Sequence, residues 1–199
     1  MTLRVFTLRE RPELRPVIFG NFGPSIWPEY MLHDPVASLY FSEPYLDQYL
    51  DYILIGVEGD AVVARGFSVP FAFNVPGREE LPDGGWDEVI RWAHEDVSVH
   101  RQPTAVSALG IELLPEGRSQ GNSRRMIEAM KANARVRGFA DLFAPVRPNR
   151  EAPPTIHTNE RLFGPSACRW FAARRVVAHT RAPRRTNRED RALCYDDRR

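Results

Sequence analysis

The chain reads as a single α/β domain, a sheet flanked by helices, and three features carry that reading. Residues 52–57 (Tyr-Ile-Leu-Ile-Gly-Val) and 61–69 are rich in β-formers and are joined by Glu58, Gly59 and Asp60, which makes a hairpin and so an antiparallel pair. Residues 104–114, 123–137 and 140–146 follow the order strand, helix, strand, that of a βαβ unit. At 199 residues the chain has room for one domain with a sizeable core and not for two ordinary ones.

From the N-terminus, residues 3–8 alternate loosely around Val5 and Phe6 and suit a short opening strand. Pro12, Pro16 and Pro24 interrupt residues 11–27, so any helix there is short or kinked. Asp34 followed by Pro35 has the form of an N-cap with proline at the first helical position, and it opens a segment through Tyr49 that Pro44 breaks. After the hairpin, Pro70, Pro76 and the run Pro82-Asp-Gly-Gly85 mark a loop. Residues 86–100 then place Trp86, Val89, Ile90, Ala93 and Val97 on one helical face. Residues 104–114 are apolar with few charges, the composition of a strand buried on both faces. Pro115 and Gly117 end that strand. In the helix over 123–137, Met126, Ile127, Met130 and Ala134 face inward, and Gly138 takes the position after the helix end.

Beyond Asn149 the patterning stops. Residues 150–199 carry Arg, Pro and Ala without a period of 2 or 3.6, and only 168–177 suits a regular element. The expected organisation is a domain over 1–149 and an Arg/Pro-rich segment over 150–199 that is poorly ordered or divergent. Twelve arginines stand against six acids in that segment, whereas the whole chain has a formal net charge of +1. Such a balance favours no strongly charged partner. The tail invites a nucleic-acid arm, but its acids, its prolines and its lack of interleaved aromatics fit a solvated segment better. Cys168 and Cys194 form neither a zinc pattern nor a disulfide framework, so a reducing cytoplasm is expected. Neither a leader pattern nor a membrane-length apolar run is present, so secretion and membrane insertion are not expected. His94, Glu95, Asp96 and His100 are placed as a solvated helix end rather than a metal cluster, because adjacent positions do not share a helical face. No metal is expected.

The informative stretch is residues 113–123, between the apolar strand and the helix. A turn of this kind offers several backbone N–H groups near the positive end of the helix dipole, which makes an anion site. Gly121 permits close backbone approach and an unusual φ, and Arg118 adds a cation. The spacing is not that of a P-loop, since no Gly-Lys-Ser/Thr follows, nor of a Gly-x-Gly-x-x-Gly dinucleotide turn. The ordinary alternative is a loop in which Asn122 or Ser123 is an N-cap.

The run Arg118, Ser119, Gln120, Gly121, Asn122, Ser123 resembles the coenzyme A turn of GNAT-superfamily N-acetyltransferases, Arg/Gln-x-x-Gly-x-Gly/Ala, with a serine at the last position. The setting is similar as well: an apolar strand before the turn, a helix ending in Arg137-Gly-Phe139, and a short strand ending in Val146-Arg-Pro-Asn149. The resemblance covers residues 104–149. It implies a GNAT-like acyl-CoA N-acyltransferase fold, with a mixed, mostly antiparallel sheet flanked by helices and splayed where the cofactor enters. The part after Asn149 would be incomplete or divergent, a shifted reading frame being one origin.

The same resemblance implies acetyl-CoA as cofactor. Backbone amides from Arg118 through Ser119, Gln120, Gly121 and Asn122 to Ser123 would hold its pyrophosphate. Main-chain groups of Leu113 and Leu114 would pair with the pantetheine arm as with an added strand, and Asn149 would touch that arm. The reaction implied is transfer of an acetyl or short acyl group to a small-molecule or peptide amine, with the oxyanion on a strand amide. Glu112, on the strand beside the turn, is the candidate general base; its ordinary alternative is a solvent-facing strand carboxylate. The family's usual acid for the departing thiolate is a tyrosine after the fifth strand, and the tail offers only Tyr195. That gap favours a second reading, a catalytically impaired acyl-CoA-binding protein or sensor. A third is a nucleic-acid-binding module through the basic tail. The resemblance is compatible with a homodimer.

Overall fold

The computed structural model describes residues 2–20, 22, 33–42, 45–118, 121–146 and 169–173. Among these, six strands form one sheet in chain order: β1 (Arg4–Thr7), β2 (Ile53–Glu58), β3 (Ala61–Phe71), β4 (Ala105–Leu113), β5 (Leu142–Val146) and β6 (Arg169–Ala173). All neighbours are antiparallel except β4 and β5, which run parallel. The mixed, mostly antiparallel sheet expected from the sequence is the sheet observed. The helix α4 (Asn122–Val136) makes the crossover from β4 to β5, as a parallel pair requires.

Each face of the sheet has its own core. On one face Ile53, Ile55, Phe67, Val69 and Phe71 pack against residues from three helices, α1 (Arg15–Phe19), α2 (Ser38–Phe41) and α3 (Gly85–Ser98). On the other, Leu54, Ala64 and Val106 pack against Met126, Met130 and Ala134 of α4. Those three helix residues recur every fourth position, the spacing of one helical stripe. α4 sits close because β3 carries Gly66 beneath it, where a Cβ would come within 2.7 Å of the Met130 methyl. Among the described residues no helix is long and apolar enough to cross a membrane.

In these elements the structure departs from the sequence reading at three places. Pro70, read as the start of a loop, lies inside β3 opposite Val106. β2 has already ended at Ile53 opposite Phe67, so β3 has a neighbour on one side only there, the situation in which a strand tolerates proline. Val97 of α3 is 38% exposed, and its neighbour Asp96 is buried in its place. Asp96 meets Arg78, which the loop between β3 and α3 brings in; the helix end is therefore not simply solvated. Ile127 of α4 is 42% exposed, one step off the methionine stripe. β6 falls within the 168–177 stretch, where the sequence allowed an element, and pairs with β5 along its whole length. Trp27, Cys168, Cys194, Tyr195 and the remaining tail residues on which the reading-frame idea bears lie outside the described residues.

Candidate functional site

β4 and β5 are joined only at their beginnings, Val106 opposite Leu142 and Ser107 opposite Phe143. Two local features part them beyond that point. The register between β3 and β4 slips between Phe67 and Ser68, which leaves Leu109 as the extra residue of a bulge, and a bulge bends its strand. Pro145 on β5 has no N–H to give a neighbour. The resulting crevice has a volume of about 290 Å³, with residues 108–111 of β4 on one side, Ala144 and Pro145 on the other, and Ile127 and Met130 of α4 beneath.

The backbone of β4 along this crevice is oriented by its ladder with β3. Leu114 donates its N–H to the Val63 carbonyl at 2.9 Å. Leu113 opposite Ala64 is therefore a non-hydrogen-bonded pair, and its own N–H and C=O turn away from β3 toward the parted side. By the two-residue period Ile111, opposite Gly66, does the same. Leu114 does not: its N–H is taken by Val63 and its C=O accepts from Gly117 at 2.9 Å. Of the two residues expected to pair with an added strand, only Leu113 has the orientation, and Ile111 takes the second place.

At its C-terminal end β4 passes into a 3-10 turn, Pro115–Gly117, then Arg118. The exposed Arg118 donates Nε–H to the Leu113 carbonyl at 3.3 Å. Ser119 and Gln120 lie outside the described residues, as does Asn149. Gly121 is the N-cap of α4 with φ +71°, and among the described residues no side chain caps the helix. The loop reading with Asn122 or Ser123 as the cap is thereby overturned. A Cβ on Gly121 would meet nothing within 4 Å, so the turn faces open space. Asn122 is 1% exposed, and its Nδ2 donates to Glu58 Oε1 and to the Gly117 carbonyl, each at 3.0 Å. Its side chain pins the helix start to the end of β2 and leaves the first-turn amides, Ser123 among them, to point out of the helix end.

Sequence reasoning passed over Arg124 and Arg125. Both are exposed in the first turn of α4, which contains no acid. Cations there oppose the helix dipole, and an anion arriving at the turn would reverse that. The signal was legible as two arginines directly after the Gly121 turn.

A second cavity, of about 570 Å³, opens on the opposite face of the sheet beneath α1 and α2. Phe19, Phe41, Phe67 and Trp86 supply apolar walls, and Arg15, Asp34, Arg65 and Glu112 supply charge. Leu109 and Gly110, the bulge of β4, line both cavities. Glu112 is 4% exposed, so it is not a solvent-facing carboxylate. It stands opposite Arg65 in the ladder and accepts from Arg65 Nη2 at 2.6 Å. The guanidinium also donates to the Ile18 carbonyl and lies 4.4 Å from the centre of the Phe22 ring. Arg65 Nε is buried and finds no acceptor among the described residues. Asp34 is half-buried and accepts from the Val36 N–H at 2.7 Å within a turn; α2 begins only at Ser38 with Ala37 as its N-cap, so Asp34 is not the helix cap the sequence suggested.

Among the described residues no tyrosine lines either cavity. Tyr40 and Tyr49 stack at 4.9 Å inside the core. Burial pushes the Tyr40 phenol well above its ordinary value and Tyr49 up to about 12, so neither is poised to release a proton. Asp96 and Glu95 are taken up by Arg78 and Arg101, and His94 packs edge-on against Tyr45.

No family model matches the sequence. The chain is 31% identical over 157 residues to the arginine N-acetyltransferase avaD of Aspergillus versicolor, an alignment covering 73% of this chain and 53% of that protein. The chain thus spans about half the length of this curated relative. Among solved structures it is similar to a GNAT family acetyltransferase from Brucella melitensis with acetyl-CoA, at 12% identity and TM-score 0.41, covering 74% of this chain and 78% of the other. It is also similar to the GphF GNAT-like decarboxylase with isobutyryl-CoA, at 16% identity and TM-score 0.42, covering 74% and 66%.

Proposed function

We propose that the chain is an acyltransferase of the GNAT superfamily, and that it transfers an acetyl group from acetyl-CoA to a small amine held in the cavity beneath α1 and α2. One observation carries the reading: the two cavities meet at the β4 bulge, and β4 leads from there to an uncapped helix start. The residues present fit the cofactor. Gly121 leaves the turn open, the α4 amides and the nearby Arg118, Arg124 and Arg125 suit a diphosphate, and Leu113 and Ile111 present main-chain groups to an extended arm.

Acetyl-CoA, when bound, supplies an activated thioester carbonyl. The chain does the rest. The amides of the turn hold the diphosphate, and the parted edge of β4 draws the arm toward the bulge. The Ile111 amide, turned toward the parted side next to the bulge, would receive the carbonyl oxygen as negative charge develops on it. The aromatic walls shield the amine from water and orient it. As the C–N bond forms and the C–S bond breaks, the amine gives up one proton and the thiolate takes one. Glu112 is the carboxylate placed to accept the first of these, directly or through water.

The acceptor we propose is a small amine that also carries charge, and arginine, named for the fungal relative, is the first to try. Asp34 and Glu112 would meet its cationic groups, and Arg15 and Arg65 its carboxylate. Cytoplasmic residence accords with use of acetyl-CoA. A second reading, binding without turnover, draws on Glu112 being already paired with Arg65. The test is release of free thiol from acetyl-CoA with and without an amine panel that includes arginine. Amine-dependent thiol release supports transfer. Binding of acetyl-CoA with no thiol release from any amine supports the second reading and overturns the first.

A further inference from the structure

We propose that Asp34 determines which amines are accepted: with the hydroxyl oxygens of Ser38 and Ser42 it holds a second cationic group on the acceptor, an ammonium or guanidinium that does not itself react. The inference deepens the acyl-transfer reading above and rests on it for the reaction, though not for the binding.

Among the described residues that line the larger cavity, the charges do not balance. Arg65 is matched by Glu112 at 2.6 Å, and Arg15 by Asp47 at 2.8 Å. Asp34, half-buried, accepts the Val36 N–H on Oδ1 and meets no cation among the described residues. Its second oxygen is left for an entering molecule. Asp34, Ala37, Ser38, Phe41 and Ser42 all line the cavity and follow one another at the three-and-four spacing of a helical face. The polar members of this face offer acceptors. Ser38 donates its hydroxyl to the Pro35 carbonyl at 2.6 Å, and Ser42 donates to the Ser38 carbonyl. Both protons are thus spent on the backbone, and the lone pairs remain. A carboxylate and two hydroxyl oxygens suit a group that donates and cannot accept, which describes an ammonium or a guanidinium. Phe19 and Phe41, edge-on to each other at 6.5 Å, supply rings whose faces also attract cations. An acceptor without such a group would cover Asp34 with apolar surface and leave its charge unpaired, the means by which a polar site rejects the wrong ligand. Glu112 comes from β4, on the sheet, and Asp34 from the turn before α2, above it. The two carboxylates therefore address different parts of one molecule.

Asp34→Asn keeps an Oδ1 for the Val36 N–H, so the turn is retained and only the charge and the second acceptor change. The probes are agmatine, which carries a guanidinium and an amine, and butylamine, which has the same amine and stem without the guanidinium. Calorimetric titration of agmatine needs no turnover. Asp34→Asn should bind it about 10- to 100-fold more weakly than the wild type, and Ser38→Ala about two- to fivefold more weakly. In turnover, wild-type kcat/KM should favour agmatine over butylamine by about 10- to 100-fold, and Asp34→Asn should collapse that preference. Equal agmatine affinity in the wild type and Asp34→Asn, an equal fall for both amines, or no agmatine binding by the wild type overturns the proposal. If Asp34→Asn does not fold, Ser38→Ala decides alone: agmatine affinity equal to that of the wild type overturns the proposal. Agmatine bound in an Asp34-dependent manner, with no thiol released from acetyl-CoA, would support the cation site and remove the acyl-transfer reading itself.

Discussion

Among the described residues Arg78 is buried and Arg65 half-buried, each against a carboxylate, and their surroundings differ. Arg78 binds Asp96 with Nη1 at 2.8 and 3.0 Å, reaches Glu95 with Nη2 at 2.8 Å, and lies 4.8 Å from the centre of the Trp92 ring. Asp96 in turn accepts from the Ala72 N–H and from Arg101, each at 2.6 Å. The set is closed upon itself and ties the loop after β3 to α3. Arg65 and Glu112 face each other across β3 and β4 at 2.6 Å, on the wall of the larger cavity, and Arg65 Nε is left without an acceptor among the described residues. Similar chemistry thus serves two ends. A network that ties a loop to a helix fixes a backbone, whereas a pair on a cavity wall sets the charge that an entering molecule meets.

That contrast can be broken by substitution, and the largest effect belongs to the closed network. Asp96→Ala leaves Arg78 buried without its main counter-charge and is expected to cost about 3–5 kcal/mol in chemical denaturation. Loss of no more than the Glu112 variant loses would erase the distinction. Glu112→Gln should lower kcat/KM about 10²-fold, with a smaller change in stability than Asp96→Ala; full activity would place the proton elsewhere. Arg65→Lys keeps the charge but loses the planar fork, and kcat/KM for a carboxylate-bearing amine should fall about tenfold. An equal fall for an amine without a carboxylate would show that Arg65 serves only to hold Glu112. The smallest effect is at Gly121: alanine there should cost about 1 kcal/mol in stability, from the positive φ alone, because its Cβ has open space.

Local signals in the sequence were read well. The hairpin, the apolar β4, and the glycine turn before α4 each depend on residues within a few positions of one another. What escaped depends on distant partners. Asp96 is buried through Arg78, 18 residues away, and Glu112 is paired with Arg65, 47 residues away. Helical periodicity ranks Val97 above Asp96 for the inner face, because it weighs hydropathy and cannot know of an arriving guanidinium. Pro70 is a breaker by the local rule, which has no record of where β2 ends. The bulge at Leu109 was unreadable for the same reason: it is a slip between two strands and belongs to neither alone. Leu114 looked as suitable as Leu113 until the ladder with Val63 fixed which of the two faces the crevice.

The central claim is that the open turn at Gly121 receives the cofactor's diphosphate, and calorimetric titration of acetyl-CoA into the wild type and Gly121→Trp tests it most directly. A bulky side chain at this position projects into space that the folded chain leaves empty, so it competes with the ligand more than with the fold. Binding to the wild type, and at least about tenfold weaker binding to a folded Gly121→Trp, is the expected result. Equal affinity in the two proteins, or no binding to the wild type, would contradict it.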